Sequence, residues 1–102
     1  MQDLKSILEQ LNIPVAYSHF NTETNPPFIC FYRNNTSNFG ADNKVYEKIN
    51  NYIVELYTEY KNPLLEDELE GIFDANNIFY NVESEEYIDS EQMYEIIYEI
   101  TL

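Results

Sequence analysis

His19 and Cys30 are the residues whose chemistry would matter most in an enzyme, because an imidazole beside a thiol makes a nucleophile–base pair. They are also the one histidine and the one cysteine of the chain. A structural use of both is the plainer expectation. Cys30 lies in the apolar run Phe28-Ile29-Cys30-Phe31-Tyr32, and free cysteine is among the most buried residue types. A zinc site draws on several Cys and His together, which this chain lacks. Five acids fall between Glu83 and Glu91 without the alternating Asp-x-Asp-x-Asp-Gly loop that wraps calcium, so they read as a solvated acidic edge. Gly40 and Gly71 are the two glycines, too few for a phosphate loop or a dinucleotide fingerprint, and no G-x-S-x-G is present. Paired carboxylates for glycoside cleavage leave no mark in sequence because their geometry is spatial, but a two-layer domain of 102 residues has little room for the cleft. The sequence therefore predicts no cofactor, no metal and no catalytic residue, and a protein that is not an enzyme but binds other proteins.

The elements that position these residues follow from periodicity. Leu4, Ile7, Leu8 and Leu11 recur at i, i+3, i+4 and i+7, one stripe of an amphipathic helix over 3–11 that ends before Pro14. Val15 to Phe20 reads as a strand, followed by a turn-rich loop from Asn21 to Pro27. Phe28 to Arg33 is a second strand, spaced to form a hairpin with the first. The polar stretch from Asn34 to Asn43 is a loop by composition. Lys44 to Tyr60 is extended, with a bulge or kink expected at Asn50-Asn51. Its Tyr52, Val54 and Leu56 share one face, and Ile53 and Tyr57 share the other with Glu55 between them. Asn62-Pro63 starts a helix as N-cap and first helical residue; Leu65, Leu69, Ile72 and Phe73 form its stripe, and Asn76-Asn77 closes it. Gly71 inside that helix predicts a close approach to the sheet. Ile78 to Glu83 is a fourth strand, Ser84 to Asp89 an acidic connection, and Glu91 to Leu102 a fifth strand with Tyr94, Ile96, Tyr98, Ile100 and Leu102 on one face.

The order α-β-β-β-α-β-β, without βαβ alternation, predicts a single α+β domain over 1–102: two layers, a mainly antiparallel sheet of about five strands, and both helices on one face. Ten Tyr and six Phe are more aromatic surface than two short helices can cover. Part of the second sheet face, around Ile53, Tyr57 and Ile97, is therefore expected to meet another subunit.

The net charge of −14 is unevenly spread. Residues 1–51 hold five acids against four bases, whereas residues 52–102 hold fourteen acids and one base, Lys61. Direct nucleic-acid binding, which draws on Lys and Arg to displace counterions, is not expected. Nor is binding to an anionic membrane. No stretch reaches the ~18 apolar residues of a membrane helix, the first residues lack the basic and apolar regions of a signal peptide, and a lone cysteine suits a reducing cytoplasm.

Pro14-Val15-Ala16-Tyr17-Ser18-His19-Phe20, Pro26-Pro27-Phe28 and Asn38-Phe39-Gly40-Ala41-Asp42-Asn43-Lys44-Val45-Tyr46 together resemble a family of small proteins from tailed bacteriophages and prophages. The likeness continues through Glu55-Leu56-Tyr57-Thr58, the helix after Asn62-Pro63, and Ser90-Glu91-Gln92-Met93-Tyr94 with its closing strand. Members of that family are similar to tail-completion or tail-terminator proteins encoded in the head–tail joining cluster. The resemblance implies an α+β subunit that assembles with itself into a ring of six. Its partners would be the tail tube protein and the head connector or stopper protein, in the host cytoplasm during assembly and then in the virion tail or neck. It brings no catalytic residue with it.

In that setting the acidity has a physical use, since carboxylates lining a bore repel the phosphates of passing DNA. Glu83, Glu85, Glu86 and Asp89 are the expected bore-facing residues. Asn38, Phe39 and Asp42 are expected to touch a neighbouring ring or subunit with Phe39 as anchor; the alternative is that Phe39 folds back on its own sheet. A different class of function also fits the charge: a DNA mimic that inhibits a host restriction or CRISPR-type nuclease. Its carboxylates would come from Glu66, Asp67, Glu68 and Glu70 with Glu95 and Glu99. A cryptic carboxylate enzyme is the third reading.

Overall fold

Asp3 and Asn62 start the two helices by the same device, a side-chain oxygen that accepts a backbone N–H of the first turn. The computed structural model describes residues 3–41 and 44–102, giving for 35–41 and 44–50 the strand backbone alone. In α1 (Leu4–Leu8), Asp3 accepts from the Ser6 amide at 2.8 Å. A 3-10 turn, Glu9–Leu11, follows, and Asn12 at φ 62° turns the chain out of the helix two residues before Pro14. In α2 (Pro63–Ala75), Asn62 accepts from the Leu65 amide at 3.2 Å and Pro63 opens the first turn. Asn76 caps the far end by donating from its side chain to the Ile72 carbonyl at 2.8 Å.

Five strands complete the chain: β1 (Val15–Tyr17), β2 (Phe28–Ala41), β3 (Lys44–Thr58), β4 (Phe79–Ile88) and β5 (Met93–Thr101). They form one sheet in the order β1-β2-β3-β5-β4. Every neighbouring pair is antiparallel except β1 with β2. The α+β class and the α-β-β-β-α-β-β order agree with the sequence reading.

Both helices lie on one face. Leu4, Ile7, Leu8 and Leu11 meet Leu69 and Phe73 of α2 over Ile29, Phe31, Val54, Leu56, Ile96, Tyr98 and Ile100. Alternation of side chains across each strand explains the selection. The deepest polar contact is the Tyr98 hydroxyl, which donates to Glu70 at 2.8 Å, while Tyr80 donates to the same carboxylate at 3.2 Å. Rings of Phe73, Tyr80 and Tyr98 pack edge-on or tilted around it.

Four expectations are corrected. First, β1 and β2 are not a hairpin but a parallel pair, with Val15 opposite Ile29 and Tyr17 opposite Phe31. A three-residue strand spans only ~10 Å, so residues 18–27 are long enough to carry the chain back to its starting end. Second, the polar segment from 34 to 41 is strand, not loop. β2 continues to Ala41 and pairs with β3 from Lys44 onward. Ladder hydrogen bonds come from the backbone, so a polar strand can form without the apolar alternation that would betray it. The irregularity expected at Asn50-Asn51 falls on the facing strand, between Arg33 and Asn35. Third, the acidic connection 84–89 is strand as far as Ile88, pairing Tyr87 with Tyr94 and Ile88 with Met93. The turn is 89–92, where Gln92 takes φ 53°. Fourth, Gly71 makes no close contact: a Cβ built there meets nothing within 4 Å.

Candidate interaction face and groove

Strand alternation that sends Val54, Leu56, Ile96, Tyr98 and Ile100 to the helices sends Ile53, Glu55, Tyr57, Glu95, Ile97 and Glu99 to the other face. Phe28, Cys30 and Tyr32 of β2 join them, since Cys30 pairs with Glu55 and Phe28 with Tyr57. Among the described residues no helix or second sheet packs on this face. At one end, residues 18–27 rise along one side and the β4–β5 turn along the other. Between them is a cavity of about 670 Å³.

The floor of this groove is aromatic and acidic. Phe28 and Tyr57 stack with ring centres 4.8 Å apart, and Phe20 packs edge-on to Phe28 at 5.4 Å. The Tyr57 hydroxyl donates to Glu55 at 3.3 Å. Glu55 is half-buried, and Glu95, diagonally across from it, is 7% exposed. Burial and the neighbouring Glu95 charge both raise the Glu55 carboxyl above its ordinary value. Burial likewise raises the Tyr57 phenol, reinforced by Glu95 and Glu55. Glu23, Glu59 and Glu91 line the sides, and among the described residues no lysine or arginine does. Such a surface attracts positive charge, which a carboxylate accepts directly and an aromatic face favours through its quadrupole.

His19 and Cys30 both line this groove, so the fold does bring the sole imidazole and thiol to one place. Their chemistry does not follow. Burial pushes the Cys30 thiol up to about 11, with Glu55 adding to it, whereas a nucleophilic cysteine needs its thiolate stabilised. His19 is exposed, and its Nδ1 lies 3.3 Å from the Ser18 hydroxyl. Among the described residues no group of three or more His, Cys, Asp or Glu is placed to hold a metal ion, and no helix is long and apolar enough to cross a membrane.

The residues singled out by sequence separate into three groups. Ile53, Tyr57 and Ile97 share the open face, Ile53 already 8% exposed and the other two half-buried. The four acids expected to act together do not share a face. Glu85 turns toward Lys61, which bridges it and Glu66 at 2.9 Å each, and it also accepts from the Tyr94 hydroxyl. These bonds hold the Glu85 carboxyl below its ordinary value and the Lys61 ammonium above its own. Glu86 stands opposite Glu95, Glu83 sits at the register shift between Val82 and Ser84, and Asp89 belongs to the turn. Asn38 and Phe39 lie in β2 where the backbone alone is described, and Asp42 lies outside the described residues.

Sequence reasoning missed the part that Phe28 and the wall 18–27 play in the groove, and it gave Glu95 to a DNA-mimic surface without placing it beside Glu55. One signal was present: Glu55 between Ile53 and Tyr57 put a carboxylate on an otherwise apolar strand face. No protein-family model matches the chain, and no curated protein matches it in sequence.

Proposed function

We propose that this chain is a structural subunit of virion morphogenesis, a tail-completion or tail-terminator-like protein at the head–tail joint of a tailed phage or prophage. It acts by protein–protein binding and ring assembly, with its own copies, the tail tube protein and the head connector as partners. The observation that carries a binding role is the second sheet face: Tyr32, Tyr57 and Ile97 are only half-buried there and, among the described residues, no helix or second sheet covers them, while the helices seal the other face. The extension of β2 and β3 beyond Arg33 and Asn51 supports the same reading, because among the described residues these two segments pair with each other and with no further strand. A two-stranded ribbon is marginal in water by itself and gains from a partner. The particular assignment to the head–tail joint rests on the resemblance of the sequence stretches quoted above.

The charge of −14 also fits the DNA-mimic reading, which wants carboxylates spread over one continuous surface. Its candidate acids divide between two faces. Glu66 and Glu70 are held by Lys61, Tyr80 and Tyr98 on the helix side, and Glu95 and Glu99 belong to the opposite face. Electron microscopy of lysates from the parent phage lacking this gene tests the proposal. Full heads beside detached tails, or tubes of uncontrolled length, are the expected result. Normal virions that fail only on restricting hosts would overturn it in favour of the mimic.

A further inference from the structure

The extension of β2 and β3 and the acidic groove lie at opposite ends of the same two strands. Phe28 and Tyr57 form the groove floor, and the ribbon of 35–41 with 44–50 leaves from the far end of that pair. At ~3.4 Å per residue, seven residues reach ~24 Å, and the molecule measures 50 Å along its long axis. Its radius of gyration, 14.9 Å, exceeds the ~13 Å of a compact domain of this length.

The two ends also differ in charge. Residues 34–51 carry Asp42 and Glu47 against Lys44 and Lys48, a net of zero, so all of the −14 resides in the rest of the chain. Lys48 stands opposite Asn38, and Lys44 opposite Ala41, near the ribbon's tip. The groove has the converse character: Glu55, Glu59 and Glu91 around an aromatic floor, with no lysine or arginine among its described lining residues.

We propose that the β2–β3 ribbon of one copy docks into the acidic, aromatic-floored groove of the next, with Lys44 and Lys48 supplying the cations the groove lacks. The inference rests on the ring reading above and names the contact that builds it. The contact is between molecules, because a continuous two-stranded ladder cannot double back onto its own starting end. Donor and acceptor surfaces differ, so the contact is head-to-tail, the type that closes into a ring when the rotation permits. A face-to-face dimer of two grooves would instead set Glu59 and Glu91 against their own copies, which like charges disfavour.

Light scattering of the purified chain at about 1 mM and low salt tests this, with carbodiimide crosslinking of a mixture of isotopically light and heavy copies. The expected result is self-association that salt weakens, with light-to-heavy crosslinks joining Lys44 or Lys48 to Glu59 or Glu91. Lys44→Glu with Lys48→Glu should weaken association at least about tenfold, as should Glu59→Lys with Glu91→Lys. All four changes in one chain should restore it. Glu59 and Glu91 are exposed, so these variants keep the fold, which circular dichroism checks. A monomeric wild-type chain, crosslinks elsewhere, or association untouched by both reversals would overturn the ribbon-to-groove contact. Those results would leave the head–tail reading to the deletion lysates, where normal virions are what would overturn it.

Discussion

Gly71→Ala should stabilise this protein, and the sign of the effect tests the packing of α2 on the sheet. Gly71 lies inside a 13-residue helix, exposed, between Glu70 and Ile72. A Cβ built on its backbone meets nothing within 4 Å, and its φ is not positive. Nothing in the folded state opposes the methyl group. What changes is the unfolded chain, which gives up less backbone freedom on folding with Ala than with Gly. Helix propensities put the gain at ~0.8–1 kcal/mol, which for a domain of this size raises the melting temperature by roughly 4–8 °C. Urea unfolding followed by far-ultraviolet circular dichroism is the assay, with the midpoint rising and the slope unchanged. Had Gly71 marked a tight helix–sheet approach, as the sequence led one to expect, the added methyl would cost ~1–3 kcal/mol through overpacking. A destabilised or unchanged variant would refute the geometry described here.

Three further outcomes are expected. Asn62→Ala removes the cap that holds the Leu65 amide and should cost ~1 kcal/mol in urea unfolding; no loss would mean α2 does not depend on that bond. Glu55→Gln should change the pH dependence of stability. The folded carboxyl of Glu55 is raised above its ordinary value of 4.5, so between that value and the raised one the folded state binds more protons than the unfolded. The Glu55 contribution therefore falls as pH rises through this window. The Gln variant should lose that part of the slope and gain stability at neutral pH relative to wild type; an unaltered profile of urea midpoints would contradict the burial assigned to Glu55. Cys30, 6% exposed with its thiol at about 11, should react with a disulfide reagent near pH 8 on the order of a hundredfold more slowly than a free thiol, and at the free rate once denatured. Rapid labelling of the native protein would show that the groove floor is open at that point.

Both helices and the core were legible in the sequence because their signals are local. Asn62-Pro63 states a helix start in two residues, and the stripe through Leu69 and Phe73 has no other use than burial. Ile96, Tyr98 and Ile100 alternate so regularly that their common face could be read directly, and all three are buried. The polar ribbon was not legible, since Asn, Thr and Ser at 34–38 look the same in a loop as in a ladder held by backbone bonds. The strand character of 84–88 was hidden by its glutamates, and only the pairing with Met93 to Ile97 reveals it.

The sequence by itself determined the α+β class, the two helices with the Asn62 cap of the second, the inward face of β5 and the concentration of negative charge in the second half. Each depends on residues within a few positions of one another, or on composition alone. Tertiary structure decided which acids stand together. It joined Glu55 of β3 to Glu95 of β5, 40 residues apart in the numbering, and gave Glu85 to Lys61. It also set the parallel pairing of β1 with β2, which leaves residues 18–27 to wall the groove. Those outcomes depend on register and strand order, and a chain does not display either until its strands have found their neighbours.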